Sequence, residues 1–352
     1  MKDLSAGKLA LLFAGCFLGA GYVSGQEIWQ YFGCFGRAGF AGLLLSMLLL
    51  LLLGVCILQI SRMGKTTQAD RICIGWDAPL LKTGMAFLEM TLMLAVSAIM
   101  MAGVGALSFQ LCGVPAWLGS LIFCLIVLVC TFAGLQGMVA AFSFSVPLLA
   151  GVTVLLCVLT VCAGGAEIPA QISRQNSFLG SWGFSAVNYA CYNVFVAVAL
   201  LAPFGPFVKS RKTVWLGVGG GTLLLTMIAL SVLVCLHSIP GAAEEEIPML
   251  AAAAATVPGG QWVYAVLLLL AMFGATLSSL IGTAHFLKEK SAFCRRHDRA
   301  GLLVLAALSF AASLFGFGDL IGVLYPIFGY GSMLFLALMV GNYLILRRRK
   351  KS

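Results

Sequence analysis

Charge is what this sequence has least of. Only 9% of its 352 residues are Asp, Glu, Lys or Arg, against 61% hydrophobic, where a soluble globular domain is roughly one-quarter charged. No water-facing surface can be built from so few charges, so lipid must be the solvent for most of the chain. A spanning helix takes roughly 20 apolar residues. The length then holds about ten spans and leaves no room for a sizeable soluble domain.

Catalytic signatures are missing as well. The sequence has no HExxH, no GxSxG, no GxxxxGK[ST], and no tight Asp/Glu pair within an apolar run, which argues against an enzyme. Its twelve cysteines form no CxxC pair and no His/Cys cluster at zinc spacing. Most lie inside apolar runs and read as small buried hydrophobes. The basic tail Arg347–Lys351 reads as a stop-transfer and an anchor to anionic lipid, not as a nucleic-acid contact.

What is present is a series of apolar runs divided by polar, Gly or Pro breaks. They predict an all-α integral membrane protein with span 1 at 7–33, span 2 at 38–62, span 3 at 80–108, span 4 at 115–134 and span 5 at 137–163. Span 6 follows at 182–204, span 7 at 212–236, span 8 at 260–288, span 9 at 299–315 and span 10 at 319–346. The N-terminal run continues into GQEIWQYF without a clear cleavage site and so reads as the first span, not a signal peptide. With the N-terminus in the cytoplasm, 19 Lys and Arg fall on the cytoplasmic side, and only Arg37 and Arg174 fall outside. That split predicts an even number of spans in the cell membrane, with both termini cytoplasmic. The outer loop 237–259 holds an Ala-rich stretch, and a lid-like helix and a plain solvated loop are both open there.

Span 1 is the most informative segment. It places Gly15, Gly19, Gly21 and Gly25 in one crossing, followed by Gln26 and Glu27. A glycine face for helix packing would not need Ser24, Gln26 and Glu27 beside it, so a break in mid-membrane is expected. Freed carbonyls can hold a cation, and a half-helix N-terminus can hold a carboxylate. Gly19, Ala20, Gly21, Tyr22 and Ser24 are therefore candidate solute-binding residues. By depth, Gln26 and Glu27 are expected at the outer entrance. Span 6 carries Asn188, Tyr189, Tyr192 and Asn193 near its middle. Either it is a second broken helix lining the same site through Tyr189, Tyr192 and Asn193, or these groups are interhelical hydrogen-bond partners. Span 8 offers the hydroxyls of Thr276, Ser278 and Ser279, for an ion or for back-bonding to the preceding turn. Glu89, about 15 Å into span 3, is a candidate for proton coupling, for binding a solute amine, or for a structural hydrogen bond.

The stretch GAGYVSGQEIWQYF at 19–32 resembles the first-helix motif of the YkvI-like membrane proteins, a branch of the amino acid–polyamine–organocation superfamily. MMAGVGAL at 100–107 with Gln110, the Tyr189/Asn193 spacing and the Ser278/Ser279 pair are also similar. The resemblance implies a LeuT-type fold: one transporter domain of two inverted five-helix repeats, about 7–163 and 182–346, with spans 1 and 6 broken. It implies secondary active transport of an amino acid or related small solute by alternating access, driven by sodium or protons. A solute sensor on the same fold, like the membrane subunits of spore germinant receptors, is the alternative. No cofactor is implied beyond a sodium ion, held by carbonyls between Gly15 and Gly19 (Gly15 and Leu18 among them) with Ser278 and Ser279. The chain departs from sodium-coupled neurotransmitter-type relatives in one respect: Gly25, Gln26 and Glu27 stand where those carry a gating arginine.

Overall fold

Serine opens three of the helices by accepting a free amide of the first turn. Ser5 accepts from Lys8 N at 3.4 Å, Ser181 from Phe184 N at 3.3 Å and Ser210 from Thr213 N at 3.0 Å. The computed structural model describes residues 4–132, 145–164, 168, 176–290 and 296–349, and every regular element among them is helical. Outside these residues lie the expected end of span 4 at 133–134, the start of span 5 at 137–144, and Lys2, Arg174, Arg295, Lys350 and Lys351.

Span 1 is three pieces: α1 (Ala6–Phe17), α2 (Ala20–Ser24) and α3 (Gln26–Tyr31). Then come α4 (Arg37–Gly64), the short α5 (Ala69–Cys73), α6 (Pro79–Cys112), α7 (Ala116–Phe132) and α8 (Ser145–Gly164). The second part holds α9 (Trp182–Leu201), α10 (Arg211–Ser238), α11 (Pro248–Thr256), α12 (Gly260–Lys290), α13 (Asp298–Ser313) and α14 (Phe317–Arg349). Seven helices are each long and apolar enough to cross a bilayer, and α1, α7 and α13 are shorter apolar helices. With α1 to α3 taken as one crossing, the described helices supply the ten spans.

Lipid and protein faces separate along the helices. On α4, Leu44, Leu48 and Leu52 form an exposed stripe while Leu43, Met47 and Leu50 are buried, the helical spacing expected of a span with one lipid face. Two sub-bundles result. In one, α1 packs on α10, α4 packs on α9, and α4 and α10 meet. In the other, α6 packs on α12, α7 on α6, and α13 on both α6 and α12. Gly217 and Gly221 explain the α1–α10 contact: a methyl group at 217 would lie 2.6 Å from Leu9, and one at 221 would lie 2.7 Å from the Ala10 carbonyl. The GVGGG run therefore serves close helix approach.

The two ends of the bundle differ in charge. Arg62 reaches the Lys209 carbonyl at 3.2 Å at one end, which also holds the start of α1, where Leu4 N meets Phe207 O at 3.1 Å. Arg37 and the run Glu244–Glu246 mark the other end. We call these the basic and acidic ends.

One expectation changes here, and one open alternative is decided. Span 6 is not broken at its centre: α9 runs unbroken from Trp182 to Leu201 and changes to a 3-10 turn only over Ala202–Phe207, near the basic end. No glycine occurs between residues 184 and 201, so nothing lowers the cost of leaving the helix there. The Ala-rich outer segment is a helix, α11, whose Met249, Leu250, Ala252 and Ala253 are buried against the bundle.

Candidate functional site

The helical ladder of span 1 stops at residue 18. Leu18 N still reaches Ala14 O at 3.0 Å, but Gly19 N turns to Phe17 O at 2.8 Å, and Gly19 is extended at φ −91°, ψ 169°. A second interruption follows six residues later. Gly25 adopts φ +86°, where a methyl group would also meet Met249 Cγ at 2.9 Å and Leu236 Cδ1 at 3.0 Å. Only glycine satisfies both the left-handed backbone and the close approach of α11. The short α2 between the breaks is fully buried, anchored to α10 and α12 and braced by a bond within itself. The Tyr22 hydroxyl donates to Leu225 O at 2.6 Å, Ser24 donates back to Gly21 O at 2.8 Å, and Tyr264 of α12 donates to Val23 O at 2.5 Å. Tyr264 is itself 2.8 Å from Thr153 Oγ1 of α8.

The left-handed turn at Gly25 rotates α3, so neighbours in sequence look in different directions. Gln26 faces the acidic end, as expected of an outer position. Glu27 does not: it is 5% exposed, and the Tyr192 hydroxyl donates to its Oε1. Tyr192 lies about 15 Å along α9 from the acidic end, near half the depth of a roughly 30 Å hydrocarbon core. Glu27 is therefore a central residue, not an entrance residue. Its other neighbours are Tyr189 and Asn193.

Four tyrosines surround this carboxylate. Tyr192 stacks on Tyr325 of α14 with centroids 4.7 Å apart at 17°, and Tyr31 and Tyr189 lie 5.7 and 5.6 Å from Tyr192. Asn188 joins three spans, accepting from Tyr31 Oη at 3.1 Å and donating to Pro326 O at 3.0 Å. Pro326 has no N–H to give to the carbonyl four residues back. That carbonyl, of Gly322, is taken by Asn176 Nδ2 at 2.8 Å. Tyr31 and Tyr325 were not singled out from the sequence. Tyr31 lay within the quoted motif, and the Tyr-Pro pair at 325–326 was the available signal in span 10.

Cavities open on both sides of the break. Toward the acidic end is a vestibule of about 1120 Å³ lined by Gln26, Gln30, His237, Glu244–Glu246 and Asp319. Its rim is drawn together by Glu246, whose carboxylate accepts from Gly318 N at 2.7 Å at the start of α14, and by Gln30, which donates to Gly318 O at 2.7 Å. On the basic side is an apolar cavity of about 790 Å³, lined by Gly15 and Leu18 of span 1 with residues of α8, α10 and the end of span 6.

The remaining candidates lie apart from the tyrosine cluster. Thr276 is buried and bonds back to Met272 O at 2.8 Å, Ser278 is exposed and Ser279 half-buried. The contact of α12 with span 1 is made at α2. Asn193, by contrast, stays beside Glu27 and donates back to Tyr189 O at 3.1 Å. Glu89 is half-buried and neighbours Cys73 and Asp70 of the basic-end helix α5. The reason is length: α6 has 34 residues, about 51 Å, so 15 Å from its start lies near the hydrocarbon edge instead of the centre.

With this geometry in hand, known proteins can be compared. No family model matches the chain. An uncharacterized membrane protein YkvI of Bacillus subtilis (strain 168) is 28% identical over 341 residues, 96% of this chain and 95% of that one. An uncharacterized protein YyaD of the same organism is 27% identical over 337 residues, 92% of each chain. The chain is similar to YkvI over 96% of its length. Solved structures extend the likeness. A Na+-coupled sialic acid symporter in an outward-open state matches with a TM-score of 0.62 at 13% identity, over 96% of this chain and 79% of its own. Inward-facing Mhp1 matches at 0.60 and 16%, over 99% and 78%. A manganese transporter of Eremococcus coleocola matches at 0.54 and 15%, over 97% and 76%. At such identities the likeness is one of fold, and the fold is LeuT-type.

Proposed function

We propose that this chain is a secondary active carrier of a small solute of the amino-acid or amine type, working by alternating access. The observation that carries the reading is the position of the doubly broken span 1. It lines a polar vestibule on the acidic side and an apolar cavity on the basic side, and it carries a buried carboxylate among four tyrosines at its centre. A carrier needs a central site that two half-channels approach in turn. The fold shared with ion-coupled carriers supports the same reading.

In this reading, residues about 7–163 and 182–346 are inverted repeats. The packing pattern supports it: replacing each span by its counterpart five positions on turns the α1–α10 contact into α9–α4, and α6–α7 into α12–α13. The Lys and Arg split supports a basic end in the cytoplasm. Glu27, Tyr189, Tyr192 and Asn193 with Gly21 form the solute site, and Gln26 lies on its outer approach. Tyr22 and Ser24 hold the backbone around the break. If sodium drives transport, carbonyls at Gly15 to Leu18 with Ser278 and Ser279 hold it after α12 and α1 approach. If protons do, Glu27 is the group to carry them, ahead of Glu89.

Uptake into proteoliposomes, with sodium and proton gradients imposed separately, tests the reading. Expected is accumulation under one gradient that collapses with an ionophore for that ion. Absence of flux of any amino acid or amine under both gradients would sink it.

A further inference from the structure

Glu27 is a buried carboxylate faced, among the described residues, by no Lys, Arg or His; the groups around it are Tyr192, Tyr189 and Asn193. Tyr192 occupies Oε1, while Oε2 looks toward Gly21. A side-chain carbon at 21 would lie 2.9 Å from Oε2 and 3.8 Å from the Tyr325 hydroxyl, so glycine keeps that oxygen uncovered. The Tyr189 hydroxyl is fully buried, has no hydrogen-bond partner of ordinary geometry, and faces the same carboxylate. An orphan of this kind in a polar centre marks a place where another group belongs.

The chemistry of that group follows from its surroundings. A carboxylate whose Oε2 accepts no hydrogen bond among the described residues, with the Tyr189 hydroxyl facing it and the Tyr325 hydroxyl close to Gly21, offers negative charge and hydrogen-bond acceptors together. That combination selects a cation with N–H donors. The approach has the same sign: among the described residues the vestibule lining carries Glu244, Glu245, Glu246 and Asp319 and no Lys or Arg, a field that concentrates cations and repels anions. Among the described residues, a solute carboxylate would meet neither a cationic partner in the vestibule lining nor one facing Glu27. We propose that the solute carries an ammonium group and no carboxylate, with Glu27 Oε2 as its counter-ion and the Tyr189 and Tyr325 hydroxyls beside it. This deepens the carrier reading above and rests on it.

The test is thermal stabilisation of the purified full-length protein by matched pairs: isobutylamine against valine, ethanolamine against serine, tyramine against tyrosine. Expected is that at least one amine raises the melting temperature by about 3 °C or more while its carboxylated partner does not. Glu27→Gln should weaken that amine's binding at least about tenfold, and Gly21→Ala should do likewise by covering Oε2 with the carboxylate left in place. The proposal is overturned if amino acids protect as well as their amines, if no amine protects, or if both variants keep the wild-type response. Gly21→Ala decides alone where Glu27→Gln does not fold. An amine that binds without being moved in proteoliposomes would refute the carrier reading and leave ammonium recognition standing. Transport of an amino acid but not of its amine would do the reverse.

Discussion

Spans 1 and 6 hold matching places in the two halves of the molecule, yet one breaks twice and the other does not break within α9. Span 1 has glycines at both interruptions, and each freed or strained position meets something: Gly25 meets α11, and Val23 O meets Tyr264. Span 6 has polar side chains instead of glycines. It keeps its own ladder and lends Asn188 and Tyr192 to its neighbours. A break in lipid thus takes both a backbone that can leave the helix and partners for what is released. The unbroken helix supplies part of the second requirement through Ser185, which donates to Tyr31 O at 2.6 Å.

The largest effect that tests this contrast is at the second interruption. Gly25→Val forces a β-branched residue to φ +86° and into Met249, at a combined cost of about 3 kcal/mol or more. Folded yield and the melting temperature should both fall sharply; a wild-type melting curve would show that the turn at 25 is not needed. Next is the link between the spans. Tyr192→Phe keeps the ring stack on Tyr325 but leaves Glu27 Oε1 without its donor, a loss of about 1–3 kcal/mol. Unfolding in mild detergent should shift by several degrees, and an unchanged curve would remove this bond from what joins spans 1 and 6.

Smaller changes sharpen the contrast. Ala190→Gly in the middle of α9 should cost about 1 kcal/mol without creating a break. Hydrogen exchange should still show one protected block across α9, whereas two separately opening halves would make glycine content alone the cause of breaking. Smallest is Gly19→Ser. The backbone there suits an N-cap and nothing lies within 4 Å of an added Cβ, so stability should rise by a few tenths of a kcal/mol. A fall in melting temperature would mean the gap is less open than its geometry indicates.

The break in span 1 and the ten spans were legible because each has a local cause: glycine spacing and apolar run length. The Ala-rich stretch between prolines left helix and loop both open at α11. The placement of Glu27 was not. Counting residues along a straight helix put it outside, and only the left-handed turn at Gly25 brings it to the centre. Asn188, Tyr189, Tyr192 and Asn193 gave the right depth for the polar centre but suggested a second break, because a polar side chain in lipid looks alike whether it lines a gap or bridges to a neighbour. The role of Tyr325 depends on span 10 lying against span 6, which no local pattern in either segment encodes.

Tyr264 deserves a mechanical reading. Its one hydroxyl touches both the Val23 carbonyl at the tip of α2 and the Thr153 hydroxyl on α8, so three separate rods of the bundle meet at a single oxygen atom. In the carrier cycle proposed above, a rocking of span 1 against the α6–α12 framework would have to break or exchange these two hydrogen bonds. Tyr264 would then act as a clutch: engaged, it holds the broken helix and its framework together; released, it frees α2.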